Sequence, residues 1–228
     1  EPHLPYAGLR VVCPDVIPLP GGGLRMYFEG QPFEGPSTVL SAVSEDGLVW
    51  EPEGGVRYGD WVNAYGSPRC VYLDSMSDDR SFQYRLYFHS YSFPMKPGGS
   101  SNNHIISAVS EDGLHFERED GVRIAQESDL ESYSVYAPEV LRLGDGTYRI
   151  YYAGWSSDPV RGRIFSAVSE NGLDWIKDRE PNIVFGGRWD RIKCSEPCIV
   201  RLRDERYKMF YEASSEDGIW RILCATSA

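Results

Sequence analysis

The sequence predicts an all-β protein, a β-propeller of four-stranded antiparallel blades, with four blades favoured and five possible. Three observations predict it. SAVSEDGLVW at 41–50 returns as SAVSEDGLHF at 107–116 and SAVSENGLDW at 166–175, and CATSA closes the chain at 224–228. Each copy follows a short alternating aromatic run, the pattern of a strand buried on its faces. No stretch sustains the 3.6-residue period of a helix. Four short strands at a period of roughly sixty residues are the mark of propeller blades, which cannot bury both faces alone and must stack on one another.

Each unit has the same parts in the same order. The inner strand carries a proline: CPDVIPL (13–19), SPRCVYL (67–73), APEVLRL (137–143) and EPCIVRL (196–202). A Gly- or Asp-rich turn leads to the second strand: LRMYFEG (24–30), YRLYFHS (84–90), YRIYYAG (148–154) and YKMFYEA (207–213). The SAVS strand is third. Asp-Gly or Asn-Gly then supplies the positive-φ hairpin turn, and a Trp or Phe opens the fourth strand. Asp46, Asp112 and Asn171 therefore belong to turns and carry no catalysis. SSEDGIW at 214–220 imitates the repeat but falls between strands two and three of the last unit, so it is expected to be a hairpin loop like WSSDPVRGR at 155–163. The repeats run over about 13–59, 66–125, 136–186 and 194–228, in a single domain covering 1–228. The chain ends on the third strand of its fourth unit. The N-terminal segment 1–12, whose Glu1-Pro2 echoes Glu51-Pro52, is expected to supply the missing outer strand and close the ring.

Composition excludes several classes of partner. Lys and Arg total 23 against 34 Asp and Glu, and a net charge of −11 repels phosphate backbones and anionic membranes. No apolar run approaches the roughly 18 residues of a membrane helix. The five cysteines, at 13, 70, 194, 198 and 224, fit neither a zinc site nor a disulfide frame. They are expected as buried, reduced thiols, which suits the cytoplasm.

The blade sentence resembles that of the five-bladed propeller glycoside hydrolases, the arabinanase, xylosidase and invertase relatives. The resemblance rests on x-P-x-V inner strands, Y-x-M-Y-Y second strands and A-x-S-x-D-G-x-x-W turns, and RWDRIKCSEPCIVRLRDERYKMFYEA (188–213) carries it best. It covers nearly the whole chain. It implies a glycosidase-like enzyme on a saccharide or related small polar metabolite, working with carboxylates. In that family a catalytic Asp precedes the first-blade proline. Here Cys13 stands in that place and Asp15 follows the proline. Only Glu196-Pro197 keeps the acid–proline order.

The inner strands give the candidate site. Residues two apart on a strand share a face. Around the prolines this groups Cys13 with Asp15, Ser67 with Arg69, Ala137 with Glu139, and Glu196 with Cys198. If they point inward, Asp15, Arg69, Glu139 and Glu196 converge. Second strands add Glu29, His89 and Glu212. Tyr65, Tyr136 and Trp155 flank these positions and suit stacking on a sugar ring, as do Tyr91, Trp61 and Trp189; packing between blades explains each of them equally well. Glycoside hydrolysis needs two carboxylates, about 5–5.5 Å apart for retention and about 6.5–9.5 Å for inversion. Asp15, Glu139, Glu196 and His89 are the catalytic candidates; Arg69, Glu29, Glu212, Tyr65, Tyr136 and Trp155 are the substrate-binding ones. The bland alternative is an ion-pair network around Arg69. Other readings are a lyase, isomerase or cyclase using His89 on the same scaffold, and a non-catalytic carbohydrate- or protein-binding propeller. No cofactor is expected, although Asp15, Glu29, His89 and Glu139 offer ligands for a channel Ca²⁺.

Overall fold

The computed structural model describes residues 4–73, 83–93 and 103–227. Apart from two short helical turns, α1 (Leu4–Ala7) and a 3-10 turn at Asp129–Glu131, the regular structure of the described residues is strand. The first sheet has the order β1 (Arg10–Pro18), β2 (Leu24–Gln31), β3 (Thr38–Ser44), β4 (Glu51–Pro52). The second follows as β5 (Asn63–Tyr72), β6 (Tyr84–Ser92), β7 (His104–Ser110), β8 (Glu117–Arg118). The third is β9 (Ser134–Arg142), β10 (Tyr148–Ser157), β11 (Val160–Ser169), β12 (Ile176–Lys177). The fourth holds β13 (Lys193–Arg201), β14 (Tyr207–Ser214) and β15 (Trp220–Thr226). These are the four antiparallel blades that the repeat predicts. They fall into two compact units, Glu1–Gly98 with Ile105–Val122 and Gly99–His104 with Arg123–Ala228.

One expectation is corrected. Among the described residues the fourth sheet has three strands, and Leu4–Ala7 packs as a helical turn beside β2 rather than as a strand. Glu1 and Pro2, on which the echo rests, lie outside the described residues.

The repeated sentence is explained by its hydrogen bonds. In each turn the last Ser of SAVS takes the glycine amide: Ser44 from Gly47 at 2.8 Å, Ser110 from Gly113 at 2.9 Å, Ser169 from Gly172 at 2.8 Å. The acid or amide takes the next two amides. Asp46 accepts from Leu48 and Val49, Asp112 from Leu114 and His115, Asn171 from Leu173 and Asp174, all at 2.8–3.0 Å. These bonds hold the Asp46 carboxyl below its usual range; at Asp112, against burial, the His115 ring at 2.7 Å leads the backbone amides in lowering it. SSEDGIW forms the β14–β15 hairpin, as its place in the unit predicts.

The first Ser of SAVS has a separate duty. Ser41 and Arg25 both bind Glu53, Ser107 and Arg85 both bind Glu119, and Ser166 and Arg149 both bind Asp178. Each clamp ties strand two, strand three and the residue after strand four. In the fourth sheet Lys208 and Cys224 stand at the Arg and Ser places. There the row Cys198–Phe210–Cys224 is exposed, whereas the matching Tyr27 and Ser41 of the first blade are fully buried. Cys198 and Cys224 thus depart from the expectation of buried thiols; Cys70 and Cys194 meet it, and none of the five is in a disulfide.

Within the first unit, blade two locks onto blade one. The Tyr27 hydroxyl donates to the Gly113 carbonyl at 2.8 Å, Arg25 donates to the Asp112 carbonyl at 3.1 Å, and Phe116 packs edge-on against Tyr27. The core beneath them holds Val39, Leu86, Phe88 and Ile106. The second unit has its own core of Ile164, Cys194, Ile199, Met209 and Tyr211. Burial of such side chains contributes about 1.5–3 kcal/mol each.

Candidate active site

The inner strands share a backbone device. Cys13, Ser67, Ala137 and Glu196, each just before the proline, all have φ between 48° and 54°. The ladder slips beside each of them. A non-glycine residue in this left-handed region is strained by roughly 1 kcal/mol or more, and the residue before proline normally prefers extended backbone. The resulting bulge breaks the two-residue alternation. The residues on either side of the proline therefore take different surroundings.

Two of the residues after the proline, Asp15 and Glu139, turn to the next blade of their unit. Asp15 Oδ2 accepts the Cys70 amide at 2.7 Å, and Glu139 Oε1 accepts the Ile199 amide at 2.9 Å. Cys70 and Ile199 are themselves equivalent, each two residues past its proline. Burial raises the Asp15 carboxyl; the Arg69 charge and the Cys70 amide oppose that rise. Arg69 donates to the Pro68 carbonyl at 2.8 Å and lies 3.5 Å from that of Pro14. Asp15 and Glu139 thus act as matching inter-blade pins.

In the fourth sheet the residue before the proline, Glu196, has different surroundings. In the second unit Glu196 and Glu212 share the surroundings of Tyr136. Burial pushes the Tyr136 phenol far above its ordinary value. The charges of Glu196 and Glu212 push it further, and hydrogen bonding with Ser195 and Trp155 pulls it back. Glu212 is ion-paired with Lys193 Nζ at 2.8 Å and accepts from Ser195 Oγ at 3.0 Å. The Lys193 ammonium also sits over two indoles, 5.1 Å from the Trp155 ring and 4.0 Å from the Trp220 ring. Trp155 lies 6.4 Å from Tyr136, and Trp220 is exposed. Two carboxylates, a half-buried phenol, an ammonium and two indoles are thus linked through Tyr136 and Lys193.

The first unit holds the counterpart. Glu29 and His89 are buried and close over Gly66, where an added Cβ would lie 2.1 Å from Glu29 Oε2 and 2.9 Å from His89 Cε1. The His89 ring stacks on Tyr91 at 5.5 Å, and the Tyr91 hydroxyl is 3.3 Å from Ser37 Oγ. Burial, then the Glu29 charge, raise the Tyr91 phenol against that bond. Tyr65 is placed elsewhere. It packs edge-on against Tyr58 and Phe88 and donates to Asp60 at 2.6 Å, so it belongs to the core.

Of the residues expected at the site, Glu196, Glu212, Tyr136 and Trp155 come together in one unit, and Glu29 with His89 in the other. Lys193, Ser195 and Trp220 were not expected. Their only signal is position, beside Glu196-Pro197 and at the end of the SSEDGIW imitation. A further buried carboxylate, Glu131, accepts from Tyr152 at 2.8 Å and from Lys177 at 3.0 Å, which satisfies it within the blade. Among the described residues no group of three or more His, Cys, Asp or Glu side chains is spaced to hold a metal ion. Nor is any helix there long and apolar enough to cross a membrane.

No family model matches the chain, and no curated protein matches it. Solved structures do. An endo-arabinase from Bacteroides thetaiotaomicron superposes with a TM-score of 0.74 at 13% identity, over 98% of this chain and 77% of its own. A thermostable family-43 glycoside hydrolase gives 0.70 at 16%, over 98% and 70%. An endo-1,4-β-xylanase from the same Bacteroides gives 0.69 at 13%, over 99% and 79%. The chain has the propeller fold of these glycoside hydrolases.

Proposed function

We propose that the protein is a glycosidase-like enzyme whose carboxylate pair is Glu196 and Glu212. The observation that carries this reading is that both carboxylates act on the Tyr136 phenol, while Glu212 pairs with Lys193, whose ammonium lies over Trp155 and Trp220. Glu196 would donate a proton to the leaving oxygen. Glu212, charge-paired with Lys193, would supply the negative group that activates water or faces the developing cation. Trp155 and Trp220 offer faces for a sugar ring. The solved structures of the same fold, named as an arabinase and a xylanase, favour a saccharide substrate.

The test is release of nitrophenol from a panel of aryl furanosides and pyranosides. Wild type should turn over at least one, and Glu196→Gln should lose roughly 10²–10⁴ of that rate while staying folded. A folded wild type silent on the whole panel would overturn the hydrolase.

A second reading has one observation behind it, the Glu29–His89 pair pressed together over Gly66. A buried His beside a carboxylate suits proton abstraction more than glycoside cleavage. In that case the aryl glycosides stay intact, and a lyase or isomerase reaction of a small polar metabolite depends on His89.

A further inference from the structure

The acidic chain gathers unbalanced positive charge in one place. Arg161 and Arg163, on β11, both lay their guanidinium groups over the Phe185 ring, 5.7 and 4.6 Å from its centre. Four residues further along the same loop, Trp189 carries Arg188 at 4.3 Å and Arg221 at 4.6 Å. Arg221 is ion-paired with Asp217. Among the described residues no ion pair includes Arg161, Arg163 or Arg188. Arg161 donates to the Val160 carbonyl, and Arg163 reaches Ser156 Oγ at 3.4 Å; neither bond neutralises charge. The acid in that loop, Asp190, is turned inward. It accepts the Gly187 amide at 2.6 Å and faces the Cys194 thiol and the Tyr211 hydroxyl. Burial and the neighbouring Arg161 charge both lower the Arg163 pKa, so an anion brought to this pair would relieve a repulsion.

A guanidinium stacked on a ring keeps its edge donors free, and that edge matches a carboxylate in plane. The strand that carries the arginines also packs against Trp155 and Lys193 of the proposed site. A Cβ on Gly162, between Arg161 and Arg163, would lie 2.9 Å from Trp155 Nε1 and 3.0 Å from Lys193 Cγ.

We propose that Arg161, Arg163 and Arg188 form a binding surface for an acidic polysaccharide, contacting the carboxylates of uronate residues. The ligand's sugar backbone rests on the saccharide reading above; the anion contacts do not require hydrolysis. The net charge of −11 opposes any polyanion at long range, so the local arginine contacts must carry the binding.

The experiment is affinity electrophoresis of the intact chain in gels containing polygalacturonate, arabinan, dextran sulfate or single-stranded DNA. It needs no turnover, so it separates failure of this surface from failure of the hydrolase. Retardation by polygalacturonate is expected, weakening with salt, and falling roughly tenfold for Arg188→Gln and further for the Arg161→Gln/Arg163→Gln pair. Arg188 is exposed, so its variant tests the surface without touching the core. Three results would overturn the proposal: no retardation by polygalacturonate, equal retardation of all variants, or retardation only by dextran sulfate or DNA.

Discussion

The Asp15 carboxylate and the Cys70 amide lie 2.7 Å apart, joining the inner strands of the first two blades. Glu139 and Ile199 repeat the bond in the second unit at 2.9 Å. A carboxylate held this way is a scaffold element, and its titration has a sign that can be checked. The raised pKa of Asp15 means that the folded chain keeps a proton which the unfolded chain has released. Its contribution to stability is therefore greatest at low pH and falls as pH rises from about 4 through the folded value. Asp15→Asn, whose amide oxygen still accepts the Cys70 N–H, should flatten that part of the stability–pH curve. At neutral pH it should leave the melting temperature unchanged or higher. A large loss of stability at pH 7 in thermal unfolding would contradict the pin.

Gly66 should tolerate no side chain. Alanine there would drive Glu29 and His89 apart, since its Cβ would fall 2.1 Å from Glu29 Oε2. Overpacking of this kind costs about 1–3 kcal/mol. Gly66→Ala should melt several degrees below wild type, whereas Gly144→Ala, with open space around it, should not.

Blade contacts should differ between Tyr27 and its counterpart Phe210. Tyr27→Phe removes the donor to the buried Gly113 carbonyl and should cost about 1–3 kcal/mol in denaturant unfolding. Phe210→Ala, on an exposed row, should cost less than the several kcal/mol expected of a fully buried Phe.

The cysteines should separate by reactivity. Cys198 and Cys224 are exposed and should react with a thiol reagent in the native protein. Cys70 and Cys194 should not. Burial raises both well above an ordinary thiol, with the Asp190 charge helping to push Cys194 up to about 12. Equal labelling of all five without denaturant would contradict the placement.

The blades were legible because their signals are local: Ser, Asp and Gly at fixed offsets make a turn, and alternating aromatics make a strand. Even the imitation at 214–220 could be placed from its distance to its neighbours. The clamps were legible in principle, since Glu53, Glu119 and Asp178 stand at one offset from Ser41, Ser107 and Ser166, but a carboxylate at constant spacing looks like a solvated surface. The inner strands are less legible because their geometry departs from two-residue alternation. Residues before proline are normally extended, and nothing in CPD or EPC announces a left-handed bulge. Strict alternation grouped Asp15 and Glu139 with the residues before the proline. The bulge instead sends them to the neighbouring blade and leaves Glu196, like Glu212, acting on Tyr136. Lys193 and Trp220 meet there through the β13–β14–β15 register, which a linear reading does not supply.

The most direct measurement is aryl-glycoside turnover by four variants side by side: Glu196→Gln, Glu212→Gln, Asp15→Asn and Glu139→Gln, each shown to be folded by its melting curve. The first two should lose roughly 10²–10⁴ in rate, and the last two should stay within about tenfold of wild type. Loss of turnover in Asp15→Asn or Glu139→Gln, with Glu196→Gln still active, would contradict the assignment of pins and catalytic pair.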